Sequence, residues 1–283
     1  MRHNAYQTQK IAFVLLFIAT VLVVLPVIFI VFIIVQKGWH AITWEFLTAI
    51  PKNGMREGGI FPAIVGTVYL VVGTLIFALP LGVLSAIYLT EYSKDNLLTR
   101  LIKLAIINLA GVPSVVYGLF GLGIFVIFLK FGSSILAGSL TLAIMVLPII
   151  ITTTKEALDS VPQSFREVSL SLGASKWQTI QYSVLPHALP GILTGVILAI
   201  SRAAGETAPI LFTVAAFYLP HLPQSIFDQA MALPYHLYVI STQVPNVSVE
   251  IRYGTALVLL VMVLSANFVA IVIRSKFRKM KKW

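Results

Sequence analysis

Six apolar runs dominate the chain, each long enough, at roughly 20 residues, to cross a bilayer as a helix. They lie at about residues 11–35, 62–90, 104–129, 135–154, 191–218 and 255–273. Of 283 residues, 58% are hydrophobic and 11% charged, with a mean hydropathy of +0.95. A soluble domain carries about 25% charged residues, and the segments between the runs leave no room for a large one. The sequence therefore predicts an all-α membrane protein with six transmembrane helices. The first run is too long for a signal-peptide core and no small-residue cleavage site follows it, so it reads as a retained helix.

The net charge of +10 raises the question of nucleic acid, and its distribution answers it. With the N-terminus inside, the segments on that side hold fourteen basic residues and those on the other side five, namely Lys37, Lys52, Arg56, Lys130 and Arg252. That bias predicts cytoplasmic N- and C-termini, and the basic tail "RSKFRKMKKW" reads as an anchor facing anionic membrane lipid. No nucleic-acid partner is expected. Cysteine is absent, which excludes disulfides and thiolate sites. There is no GxxxxGK[ST] loop, HExxH, GxSxG elbow or metal-spaced cluster. The histidines, at 3, 40, 187, 221 and 236, lie outside the apolar runs. The chain reads as neither an enzyme nor a metal protein. Trp39 and Trp44 suit a membrane interface. Pro80, Pro113 and Pro148 interrupt three successive spans, and such breaks are tolerated where neighbouring helices or a wet cavity satisfy the freed carbonyls.

The longest inside segment, 155–190, carries its own pattern. Pro162 suits a helix start, with Ser160 or Asp159 near the cap. Val161, Phe165, Val168 and Leu172 recur on one face, Gly173 suits a C-terminus, and "SKWQ" from Ser175 is a capping box opening a second helix. Pro186 and Pro190 close that helix before the next span. On physics alone this helix pair fits the membrane surface, its own bundle, or a partner's groove equally well. Its spacing resembles the loop of membrane subunits of bacterial ABC importers: Glu167-Val168-Ser169, three residues, Gly173, nine residues, then Ser183-Val184-Leu185-Pro186. Val168 and Ser169 stand where that family has alanines, and Ser183 where it has isoleucine. The resemblance implies a coupling helix docking on a separate ATPase, with Glu167, Gly173, Leu185, Pro186 and Phe165 as the coupling residues.

"SRAAGETAP", at 201–209, puts a guanidinium and a carboxylate inside the fifth run. An arginine at a helix centre costs about 2.5–3.5 kcal/mol on insertion scales, and Arg202 lies roughly 16 Å beyond Gly191 at 1.5 Å per residue. It should face protein or water. A purely structural i,i+4 pair with Glu206 is one reading, although arginine before glutamate is the poorer order and a buried pair often fails to offset its desolvation. The other reading is functional. Arg202 offers a permanently charged fork to a passing anion, while Glu206 orients it or accepts a hydrogen bond from a protonated oxyanion. Pro209 should bend the helix beside Gly205, and Gly205 should let another backbone approach.

This stretch resembles the fifth-helix signature of permeases of phosphate-specific ABC importers, with "GETAP" closer to the A type than to its C-type partner. "GGIFPAIVGTVYLV" at 58–71, "NLAGVPSVVYGLFG" at 108–121 and "ALPYHLY" at 232–238 agree, so the resemblance spans roughly residues 58–273. It implies the type I ABC importer permease fold in a bacterial inner membrane, with a substrate pathway at Arg202, Gly205, Glu206 and Pro209. The implied partners are a second, C-type permease, two cytosolic ATPase copies that bind ATP and Mg, and an extracytoplasmic phosphate-binding protein docking on loop 219–254, a loop that reads equally as an interfacial helix. No cofactor is expected in this chain itself. Its organisation would be an N-terminal helix and external segment (1–57), a core permease unit (58–273) and a basic tail (274–283). The rival reading is a proton-coupled secondary anion transporter with Glu206 as the proton site.

Overall fold

A computed structural model describes residues 2–279 of the chain, with side-chain surroundings from 7 to 277; the tail lysines at 281 and 282 lie outside the described residues. Helix α1 (Arg2–Gly38) is followed by the short α2 (Trp44–Thr48) and an antiparallel hairpin of β1 (Pro51–Lys52) and β2 (Glu57–Gly58), with Pro51 facing Gly58. Next come α3 (Phe61–Ile87), which widens into a π-helical turn at Tyr88–Tyr92, then α4 (Leu97–Ala110) and α5 (Ser114–Gly121), the last continued as π-helix over Leu122–Phe128. After α6 (Ile135–Asp159) and α7 (Gln163–Ser171), the short α8 (Lys176–Gln178) runs through π-helical Thr179–Val184 into α9 (Leu185–Gly205). The described residues end with α10 (Ala208–Thr213), α11 (Leu233–Thr242) and α12 (Val249–Lys279). Among the described residues, five helices are long and apolar enough to cross a membrane, or six if the bent pair α4–α5 is one span.

Packing follows the rule for lipid, where small residues rather than hydrophobic driving force bring helices together. α6 is the central helix, with α3 and α9 against it. A Cβ at Gly82 of α3 would come within 2.6 Å of Ile150 Cγ2, and one at Gly195 of α9 would overlap the Thr153 side chain. α1, apolar all round, buries none of its apolar window, as befits a lipid-facing helix; it joins the body where Gly38 meets Tyr253 at the head of α12. One core cluster fills the α3–α6–α11 region, including Leu142, Leu233 and Ile240. A second lies at the end of the bundle that bears α7, where Ile87, Leu158, Val161 and Ile180 meet.

Residues 104–129 do not form the single continuous span that the sequence predicts. The chain turns by 106° between α4 and α5, because Pro113, at φ −59° and ψ 141°, cannot continue α4. Tyr117 Oη donates to the Leu109 carbonyl at 2.7 Å across the break, which satisfies an end-of-helix acceptor. Nor do Pro186 and Pro190 end the helix that starts at Ser175. It passes through both and continues to Gly205, since the π segment before Pro186 re-spaces the backbone bonds around a residue with no N–H. Loop 219–254 is only partly a surface. Residues 224–227 are exposed, whereas α11 is seated in the core, with Leu233 N donating to Thr67 Oγ1 at 2.8 Å. His236, which its sequence position puts outside the apolar runs, is 3% exposed.

Candidate functional site

The fifth span is broken, not bent. α9 stops at Gly205, Glu206 is extended (φ −78°, ψ 132°), and α10 starts at Ala208 with Pro209 at its second position, where a missing N–H leaves no helical bond unmade. Arg202 thus sits in the last turn of α9, near the negative end of that helix dipole, and Glu206 is the residue that ends the helix. Their contact is a single long one, Nε to Oε1 at 3.4 Å, with side chains 33% and 19% exposed. Among the described residues, neither terminal nitrogen of Arg202 has a hydrogen-bond partner, so the two-pronged end of the guanidinium is available.

Two antiparallel contacts fix the depth of this break. Thr194 Oγ1 accepts from Arg274 Nη1 at 3.2 Å, and about two turns further along both helices Ser201 Oγ donates to Asn267 Oδ1 at 2.8 Å. Asn267 is well inside its span, which ends at Phe277, about 15 Å away at 1.5 Å per residue. Arg202 therefore lies within the bundle's membrane-spanning part.

The close approach expected at Gly205 occurs elsewhere. A Cβ there would meet nothing within 4 Å, whereas one at Gly118 of α5 would come within 3.0 Å of the Ala208 carbonyl and 2.8 Å of Phe212 Cδ2. Gly118 presses the first turn of α10, which follows directly on Glu206 and Thr207, against α5 just past the α4–α5 break. Two interrupted spans therefore meet next to the charge pair. Gly118 lies in the quoted "NLAGVPSVVYGLFG", but nothing in that string says which helix it touches. The site, as built, presents a forked cation with a carboxylate alongside at the break of a span.

A second region lies at the α7 end. α7 and the π segment pack together, with Ser169 Oγ 3.0 Å from Thr179 Oγ1. Gly173 turns the chain at φ +85°, and Ser175 and Gln178 form the reciprocal capping box. Pro162 caps α7 from outside rather than opening its first turn. The stripe predicted on α7 divides: Val161 is buried and Phe165 sits against His187 (centroids 4.6 Å), but Val168 and Leu172 are 60% and 83% exposed. A shallow groove of about 420 Å³ follows this face, lined by Phe165, Val168, Leu172 and Ser183 among others. Glu167 and Pro186 are exposed beside it, and Leu185 is half-buried against the second core cluster. Sequence reading missed one strong feature here. Arg166 is bidentate to Glu91 of the π turn after α3, with Nη2 to Oε1 at 2.7 Å and Nε to Oε1 at 3.0 Å, and both side chains are nearly buried. The pair is 75 residues apart in the chain, so no local signal announces it.

Residues 78–279 match the family model described as "binding-protein-dependent transport system inner membrane component". Among known proteins, the chain is 33% identical over 271 residues to phosphate transport system permease protein PstA 1 of Mycobacterium tuberculosis (strain CDC 1551 / Oshkosh), covering 94% of this chain and 88% of that one. It is 35% identical over 265 residues to PstA of Mycobacterium leprae, covering 92% and 86%. Among solved structures, a chain of a bacterial ABC transporter that imports the acidic polysaccharide alginate superposes with a TM-score of 0.67 at 15% identity, over 99% of this chain and all of that one. A chain of the inward-facing MetNI methionine ABC transporter superposes at 0.60 and 14% identity, over 77% and 97%. At such identities the structures speak for the fold alone. The family model covers most of the chain, the fold agrees, and the conclusion is that this multi-pass membrane protein belongs to the binding-protein-dependent transport system inner membrane components.

Proposed function

We propose that the chain is a transmembrane permease subunit of an ATP-driven phosphate importer. The observation that carries this reading is similarity over nearly the whole chain to permease proteins of phosphate transport systems. Arg202 gives it a physical site: a fork left open at a helix break inside the membrane, with Glu206 beside it. Phosphate keeps a proton near neutral pH, so Glu206 can accept from it where sulfate offers nothing. This chain supplies no chemistry. ATP and Mg belong to two copies of a cytosolic ATPase, which dock on the groove beside α7, the cytoplasmic side of the bundle. A C-type permease completes the path, and an extracytoplasmic binding protein delivers phosphate to the opposite end, where residues 219–229 are open. The home is the bacterial inner membrane. None of the relatives or structures named above is a proton-coupled carrier.

The test is radiolabelled phosphate uptake in cells lacking this chain and restored with the parent or Arg202→Gln at equal membrane expression. Losing hydrogen bonds to a charged group predicts a fall of about tenfold or more, and excess sulfate should leave parent uptake unchanged. Equal rescue by both forms makes Arg202 structural. Rescue by neither removes phosphate as the substrate, and equal competition by sulfate removes the role given to Glu206.

A further inference from the structure

The ion pair of Glu91 and Arg166 does more than bury two charges. Arg166 belongs to α7, yet every nitrogen of its guanidinium is engaged elsewhere. Nε reaches Glu91 Oε1 and Oε2 at 3.0 and 3.3 Å, and Nη2 reaches Oε1 at 2.7 Å. Nη2 also donates to the Leu158 carbonyl at 3.0 Å, and Nη1 to the Val161 carbonyl at 2.9 Å. One side chain thus links three elements: α7 itself, the π turn that ends α3, and the last turn of α6 with its trailing linker. Leu158 is 0% exposed and Val161 3%, so the carbonyls it meets belong to the packed core.

An apolar contact at this place would let α7 slide, because dispersion is non-directional. A planar fork seated on a carboxylate and two carbonyls does not slide, since each donor is aimed. Without it α7 would be held to α6 and α3 only by the linker around Pro162 and by non-directional apolar packing, such as Phe165 against the second core cluster. With it, α7 is fixed to both members of the central helix pair. α6 in turn reaches the broken spans: Gly121 of α5 packs against Thr141 of α6, and Ser134 N, at the end of α6 farthest from α7, donates to the Thr213 carbonyl at the end of α10.

We propose that the Glu91–Arg166 pair is the joint that carries movement of α7 into α3 and α6, so that the force an ATPase exerts on the coupling helix reaches the broken spans. This inference rests on the transport reading above for its biological sense, and names Glu91 and Arg166 as positioning residues. Losing the joint should uncouple the machine, not disable its parts. In the full complex with its partner subunits, reconstituted in vesicles, Glu91→Gln keeps the size and one acceptor but removes the charge; Arg166→Lys keeps the charge but removes the fork. Each should raise the ATP hydrolysed per phosphate imported by about fivefold or more, the lower end for an energetic coupling between sites, with hydrolysis itself retained. Uptake and hydrolysis falling in proportion would overturn the joint, making the pair a mere fold or docking element, and so would no change in either.

A second readout does not depend on the substrate. The chain has no cysteine, so spin labels can be placed at Lys94→Cys and Ser171→Cys, both exposed and on either side of the pair. In the parent complex their dipolar distance should stay the same with and without ATP, and in Glu91→Gln it should broaden. A parent distance that changes on ATP binding overturns the proposal. If the parent complex hydrolyses ATP but imports no phosphate, the transport reading fails, and the label distances still decide on the joint.

Discussion

Gly118 sets how closely α5 can lie against the start of α10, and through that the shape of the break that holds Glu206. Replacing it with valine puts a Cβ within 3.0 Å of the Ala208 carbonyl and 2.8 Å of a Phe212 ring carbon. Overpacking of this kind costs about 1–3 kcal/mol. Gly118→Val should therefore melt several degrees lower in detergent and impair uptake, while Gly205→Ala, with open space around its Cβ, should leave the melting temperature within a degree or so. Melting curves of the two variants check both. Residues differ in how plainly the sequence shows them. Arg202 and Glu206 stand out because charge in an apolar run has a known cost. Gly118 and Glu91 do not, because the worth of each lies in a partner from a distant segment.

At the scale of elements, α7, its glycine bend and the second helix are legible because they depend on local chemistry: the cap at Ser175, the φ +85° at Gly173 and the amphipathic spacing are all read within a few residues. Proline misleads in both directions. Pro113 breaks a span that its apolar length presents as whole, whereas Pro186 and Pro190 do not end theirs: a π-helical stretch ahead of Pro186 re-spaces the bonds there, and Pro190 lies inside α9. Whether a proline breaks or is absorbed depends on which neighbour can take the freed carbonyl, and tertiary packing decides that. The bend at Gly173 carries a prediction of its own. An alanine held in the left-handed region costs about 1–2 kcal/mol, and the chain can relieve that only by re-aiming the helix from Ser175 relative to α7. With the ATPase docked beside α7 as proposed, Gly173→Ala should weaken its retention by about tenfold, at 1.4 kcal/mol per decade, with little loss of folded protein. Titration of the purified ATPase onto the permease in detergent measures it; unchanged affinity would place the docking surface on α7 alone.

The molecule as a whole is closed, at the end opposite α7, by α11, a helix seated in the core where the sequence offers a docking loop or an interfacial helix. α11 lies between α3 and α12, Leu233 N bonds to Thr67, and the Met231 carbonyl rests where a Cβ at Gly66 would be. His236 goes into the core with it. Its Nδ1 is buried without a hydrogen-bond partner among the described residues, and desolvation lowers its pKa from 6.5 to about 4. The folded state therefore holds this imidazole neutral over a range where the unfolded chain already binds a proton. Stability from this group is whole above pH 6.5 or so, falls as pH drops through that value, and stops falling near the folded pKa, by which point about 3 kcal/mol is lost. Most of that loss, about 2 kcal/mol, is present by a pH of about 5. Comparing melting temperatures at pH about 7.5 and about 5, the parent should lose several degrees more than His236→Gln, which has no proton to gain. The variant starts lower at neutral pH if its amide, too, is left unpaired, so the difference between the two pH values is the quantity that decides. An equal acid shift in both proteins would assign the acid sensitivity to other groups and leave α11 a plain packing element.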